Sequence, residues 1–137
     1  MTRAKADQVP DAQIVELIEA AERVRGALPL RKNFTAGEVG AALRSAGGHI
    51  YTGVCLDVAC GIGFCAEHSA VAEMVKHRET QIAAIVAVDS DGILPPCGRC
   101  RELIAQLDTA NAETAVVLDV DHVVPLKELL PNYWLKG

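Results

Sequence analysis

Ile82 to Val88 reads Ile-Ala-Ala-Ile-Val-Ala-Val, an apolar run without a polar interruption. A run of that length is the signature of a strand covered on both faces, because neither set of alternating side chains is fit to meet water. It is far short of the ~20 residues needed to span a membrane. Thr114 to Val120 reads as a second buried strand. Strands of this kind demand layers above and below a sheet, and the chain supplies them as helical patterns. Ile14, Leu17, Ile18, Ala21, Val24 and Leu28 recur at intervals of three and four, with Glu16, Glu19, Glu22, Arg23 and Arg25 on the other side. That spacing predicts a helix over Asp11–Leu28, stopped by Pro29.

The rest of the chain is read in the same way. Arg31 to Gly37 is polar and turn-like, Val39 to Leu43 a short buried strand, and Gly47-Gly48 a hairpin turn leading into a return strand over His49–Val58. On that strand Tyr51, Gly53, Cys55 and Asp57 share one face. Gly61 and Gly63 interrupt the chain before a helix from about Cys65 to Lys76. After the loop Asp89–Pro96, further helices are expected over Cys97–Leu107 and Leu126–Leu130, the last stopped by Pro131. The order α-β-β-α-β-α-β-α predicts a three-layer α/β/α fold with a mixed central sheet. Its length of 137 residues suits one domain, 1–137.

Composition narrows the class of function. Thirteen basic residues against eighteen acidic ones, a formal charge of −5, do not make the basic surface of a protein that tracks nucleic-acid phosphates. The aromatics Phe34, Tyr51, Phe64, Tyr133 and Trp134 are too few for a single-strand stacking platform. The opening residues, Met-Thr-Arg-Ala-Lys-Ala-Asp-Gln-Val-Pro, form a polar lead-in without the apolar core of a signal peptide. Five cysteines, an odd number without a secretion signal, point to reduced thiols in the cytoplasm rather than a disulfide framework.

Three of those cysteines lie in two short motifs. Cys65-Ala66-Glu67 and Pro96-Cys97-Gly98-Arg99-Cys100 each open an expected helix. A Cys-x-x-Cys alone is equally a redox pair or half of a structural zinc site. With Cys65 as a third thiol the set matches zinc held by three protein ligands, leaving a fourth position for water. Helix N-termini stabilise thiolates through their free N–H groups and dipole. Arg99, between two ligands, is placed to moderate the negative charge of three thiolates, and Arg101 is a second cation nearby. Glu67, two residues beyond Cys65, is placed to accept a proton from water. Cys60 reads as a small loop residue. His49, His77 and His122 read as strand-end or surface residues, and His68 as a neighbour of the site.

The order Cys-Ala-Glu followed by Pro-Cys-x-x-Cys is the pattern of zinc nucleobase deaminases. At these residues the sequence resembles the cytidine deaminase family, in its small, homotetrameric, all-cysteine-zinc branch, and the related blasticidin-S deaminases. The resemblance rests on Val39-Gly40-Ala41-Ala42-Leu43, Thr52-Gly53-Val54, Cys65-Ala66-Glu67, Pro96-Cys97-Gly98-Arg99-Cys100-Arg101 and Glu128-Leu129-Leu130-Pro131. It implies one Zn2+ per chain on Cys65, Cys97 and Cys100. It implies Glu67 as the proton shuttle while water attacks C4 of an aminopyrimidine and ammonia departs. Ala66 and Pro96 would orient the base, and Trp134 would pack over a neighbouring subunit's pocket. Phe34 is the candidate to stack on the base, although Lys32-Asn33-Phe34 lies three residues upstream of the family's Tyr-Ser-x-Phe. The expected partner is a small aminopyrimidine or nucleoside, not a nucleic-acid polymer or a membrane, and the expected assembly a homotetramer or dimer.

The departures from the family pattern bear on substrate. Where cytidine deaminases carry Asn-x-Glu to hold ribose hydroxyls, this chain has Cys55-Leu56-Asp57. Asp57 can still accept a hydroxyl hydrogen bond, whereas a thiol is a weak substitute for an amide. The usual Cys-Ala-Glu-Arg becomes Cys-Ala-Glu67-His68, and Arg99 within Pro-Cys-Gly-Arg-Cys follows the blasticidin-S pattern and could replace the missing arginine. Cytidine or deoxycytidine is the default substrate; blasticidin S or another amino-heterocycle is the alternative, and a non-catalytic zinc-stabilised binding module a distant one.

Overall fold

The computed structural model describes residues 9–137, so all of the polar lead-in expected at the N-terminus except Val9 and Pro10 lies outside the described residues. Helices α1 (Asp11–Val24), α2 (Ala66–Lys76) and α3 (Gly98–Leu107) pack on a mixed sheet. The strands are β1 (Leu28–Pro29), β2 (Thr35–Ser45), β3 (Ile50–Asp57), β4 (Ile82–Asp89), β5 (Gly92–Ile93), β6 (Ala115–Asp119) and β7 (His122–Pro125). Short 3-10 turns cover Thr109–Glu113 and Leu126–Leu129.

Strand β2 is the hub. It pairs antiparallel with β1, β3 and β4; β4 then pairs parallel with β6, and β6 antiparallel with β7. Since β3 and β4 both oppose β2, they run in the same direction, and so does β6. The helix joining β3 to β4 must therefore cross over β2. Helices α2 and α3 both start where these co-directional strands end, on the same face of the sheet. That is where open α/β sheets bring helix N-termini together.

The core divides as the apolar run Ile82–Val88 demands. Ala84, Val86 and Val88 join Ile14, Leu17, Ala20 and Ala21 of α1 on one face. Ile85 and Ala87 join Ala66, Ala70, Val71 and Met74 of α2 and Ile104 of α3 on the other. Gly53 lets α2 come close to β3: a Cβ there would stand 2.4 Å from the Ala70 nitrogen and 2.6 Å from the Ser69 side chain.

Three boundaries differ from the sequence reading. Helix α1 ends at Val24, before Leu28, because the Gly26 N–H donates to the Gly37 carbonyl at 2.7 Å and Leu28–Pro29 pair with Thr35 and Ala36. The apolar spacing continues past Val24, but strand pairing overrides it. Strand β2 begins earlier than Val39 and contains a bulge between Ala36 and Gly40, where Gly37 takes φ +83°. The terminal helix is a 3-10 turn preceded by β7, a strand too short to announce itself.

A buried Asn111 stitches the distal end. Its Oδ1 accepts from the Ile82 N–H at 2.8 Å, and its Nδ2 donates to the Thr80 and Ile104 carbonyls at 3.0 Å each.

Candidate metal and catalytic site

Cys65 and Cys97 are the N-cap residues of α2 and α3, both with extended backbone, and neither side chain caps its own helix. Their thiols are therefore free to face each other. A two-stranded bridge between Leu56 and Phe64, with N–H to carbonyl distances of 3.0 Å in both directions, folds the loop after β3 back along the strand just before Cys65. Cys100 follows in the first turn of α3. The Cys65 and Cys97 sulfurs are 3.5 Å apart, as are those of Cys97 and Cys100, and all three lie within 4.8 Å of one another.

These distances fit one zinc ion. Three thiolates on a tetrahedral zinc at about 2.3 Å stand roughly 3.8 Å from each other. The donors are soft thiolates from helix starts, and among the described residues no other histidine, cysteine, aspartate or glutamate completes such a cluster. The fourth position of a tetrahedron is left to a non-protein ligand.

The protonation energetics of the thiols reflect crowding. Burial raises Cys65, reinforced by its hydrogen bond to Cys97. Burial raises Cys100 far above the ordinary thiol range, with the Glu67 charge adding to it. Burial pushes Cys97 in the same direction, but hydrogen bonds from the Cys100 backbone and thiol, the Cys65 thiol and the Arg99 backbone outweigh it and leave Cys97 lowered.

Glu67 is a buried acid, 5% exposed, in the first turn of α2. Burial raises its carboxyl above the ordinary range, against lowering hydrogen bonds from its own backbone N–H and the Cys100 thiol. A carboxyl of this kind beside a metal-ligand cluster is equipped to accept and return a proton. His68 comes from the next position, with Nδ1 3.6 Å from the Cys100 sulfur; burial, then the charge of Arg99, lowers its pKa.

The remaining sequence candidates fall at different distances from this cluster. Ala66 is fully buried at the start of α2, and Pro96 is buried just ahead of Cys97. Arg99 is exposed, whereas Arg101 turns away from the thiols, its Nε donating to the Pro96 carbonyl at 2.8 Å and its guanidinium reaching Leu129. Arg101 thus pins the loop carrying Cys97, a job its sequence position alone did not reveal. Asp57 is exposed at the end of β3, while Cys55 is 6% exposed and held by the Val39 N–H. Phe34 is half-buried in the β1–β2 turn, next to Thr35, which pairs with Asp57. Trp134 is 65% exposed and anchored by its Nε1 to Glu102 of α3 at 2.8 Å, beside Tyr133, which bonds the same carboxylate. Cys60 is exposed in the loop before α2.

Among the described residues, no helix is long and apolar enough to cross a membrane.

Comparison with known proteins places the site in context. The family model for the cytidine and deoxycytidylate deaminase zinc-binding region matches residues 16–116. The cytidine deaminase of Halalkalibacterium halodurans is 34% identical over 102 residues, covering 69% of this chain and 75% of that protein. The crystal structure of cytidine deaminase from Mycobacterium tuberculosis superposes with a TM-score of 0.75 at 28% identity, covering 90% of this chain and 98% of the other. That of the Burkholderia pseudomallei cytidine deaminase gives a TM-score of 0.70 at 30% identity, covering 88% and 98%.

Proposed function

The chain belongs to the cytidine and deoxycytidylate deaminase family, and from that premise we propose that it is a zinc-dependent hydrolytic deaminase converting cytidine or deoxycytidine to the uracil form with release of ammonia. The observation that carries the reading is the convergence of Cys65, Cys97 and Cys100 within 4.8 Å, beside the buried Glu67.

In this reading Cys65, Cys97 and Cys100 hold the zinc, and bound zinc supplies Lewis-acid activation of water. Glu67 takes one proton from the attacking water and delivers it to ring N3 as the new C4–O bond forms. Glu67 then carries the second water proton to the amino nitrogen, the C4–N bond breaks, and ammonia leaves with the carbonyl in place. Its burial supports that role, because a carboxyl away from bulk water exchanges protons with the reacting atoms rather than with solvent. Ala66 and Pro96, both buried at the helix starts, line the base with backbone polar groups. Arg99 tempers the negative charge of the thiolates, and His68 stands beside the Cys100 sulfur. Phe34, next to the Thr35 that pairs with Asp57, would stack on the base. The exposed ring of Trp134 suits a neighbouring subunit's pocket, in a homotetramer or dimer. With this reading go a single deaminase domain over 1–137, a cytoplasmic location and a place in pyrimidine salvage.

A second reading keeps the chemistry and changes the substrate. Cys55 stands where the family holds ribose and is buried, which favours an amino-heterocycle without a standard ribose. The likeness to blasticidin-S deaminases lies instead in His68 after Glu67 and in Arg99 within Pro-Cys-Gly-Arg-Cys. Ammonia release from cytidine, deoxycytidine, cytosine and blasticidin S separates the two. Turnover of either nucleoside supports the first reading; turnover of only the others supports the second.

A further inference from the structure

Cys55 and Asp57 sit two residues apart on the face of β3 that also carries Gly53 against α2, and they differ sharply in surroundings. The Cys55 thiol is 6% exposed, and its sulfur accepts the Val39 N–H at 3.3 Å. Val39 lies inside the β2 bulge between Ala36 and Gly40, where the ladder to β3 loses register and a backbone donor is left without a strand partner of the regular kind. The same thiol points its own proton at Asp57 Oδ2, 3.5 Å away. Asp57 is exposed, and among the described residues none of the ion pairs includes it.

A thiol whose only proton is already donated, and whose sulfur is a weak acceptor already holding one N–H, has little to offer a sugar. We propose that Cys55 is a positioning residue, its thiol bridging the Val39 amide in the β2 bulge to the carboxylate of Asp57, and that Asp57 alone is the side chain of this pair that reads the hydroxyl-bearing part of the substrate. The inference rests on the nucleoside deaminase reading for its kinetic side and on the bulge geometry for its structural side. It also gives the Asn-to-Cys departure a physical content: the strand position is used to hold an acid and a bulge instead of to touch ligand. Fixing a carboxylate in one rotamer lowers the entropic cost of each hydrogen bond it makes to substrate.

The test is a set of variants, Cys55→Ser, Cys55→Ala, Asp57→Asn and the Cys55→Ala/Asp57→Asn double, assayed with cytidine and with cytosine, which lacks the sugar. Cys55→Ala is expected to raise KM for cytidine about three- to tenfold with kcat within twofold, and to leave cytosine kinetics unchanged. Cys55→Ser, which keeps a donor and an acceptor, restores KM to within about twofold. In the double variant the KM equals that of Asp57→Asn alone, because the thiol acts through the carboxylate. In parallel, hydrogen exchange at the Val39 amide accelerates at least about tenfold in Cys55→Ala and recovers in Cys55→Ser. Additive effects on KM, or Val39 exchange untouched by Cys55→Ala, overturn the proposal. A protein that turns over no cytidine strikes the function reading instead, and Val39 exchange then decides the bridging role by itself.

Discussion

The sulfurs of Cys65 and Cys97 lie 3.5 Å apart although 32 residues separate them in the chain. Strand direction is the cause. With β3 and β4 both antiparallel to β2, the two helices that follow them begin at the same end of the sheet and on the same face. The metal cluster is thus a product of the topology, and cross-linking it stabilises that topology in return.

Metal removal is therefore expected to loosen the fold as well as the site. Chelation of the zinc-loaded protein should lower the midpoint of thermal unfolding by roughly 10 °C, with restoration by stoichiometric zinc. Cys97→Ser should bind less than about a tenth of the zinc of the parent under a competing chelator and show the lower midpoint without chelation. Calorimetry with and without zinc checks both.

Gly53 sets the distance between α2 and β3. Gly53→Ala brings a Cβ to 2.4 Å from the Ala70 nitrogen and 2.6 Å from Ser69, so α2 must shift or the sheet must bend. A loss of about 2 kcal/mol is expected, together with weaker zinc binding, since α2 carries Cys65 at its start. Urea unfolding and a zinc titration read the two effects; a variant with wild-type values in both would contradict the close approach.

Asn111 tests the distal end independently. Its amide satisfies the Ile82 N–H and the Thr80 and Ile104 carbonyls in a fully buried setting. Asn111→Ala orphans these groups and should cost about 3 kcal/mol in urea unfolding. Zinc binding, at the opposite end of the strands, should remain within twofold.

The two tyrosines give a spectroscopic prediction. Hydrogen bonding to Glu79, then burial, pushes Tyr51 up to about 12, and hydrogen bonding to Glu102, then burial, pushes Tyr133 up to about 12. Each phenol donates to a carboxylate and so keeps its proton. The stability they add is full below about pH 10, the unfolded value, and is lost as pH rises through about 12. Absorbance at the phenolate band should show only about 1% ionisation at pH 10 in the folded protein. Half-ionisation there would contradict both hydrogen bonds.

Much of this was legible in the chain. The apolar run Ile82–Val88 foretold a doubly covered strand, and β4 is one, with α1 on one side and α2 and α3 on the other. The two cysteine motifs foretold thiols at two helix starts, and the three sulfurs converge. What escaped was set by contacts distant in sequence. The end of α1 depends on Gly26 meeting Gly37, and Arg101 depends on the Pro96 carbonyl, neither of which any periodicity encodes. Asn111 carries no signal in the sequence, because its role depends on Ile82 and Ile104, which the fold brings around it. Cys55 stood in a position marked by the family pattern, but only the bulge at Val39 shows what the thiol is engaged with.

The central claim is that Glu67 moves protons for a reaction at a zinc held by three cysteines. The most direct measurement compares the parent with Glu67→Gln, recording zinc content and uridine formation from cytidine on the same samples. One zinc per chain in both proteins, with product from the parent and at least a thousandfold less from Glu67→Gln, is the predicted result. Uridine formation by Glu67→Gln at the parental rate, with the same zinc content, would contradict it.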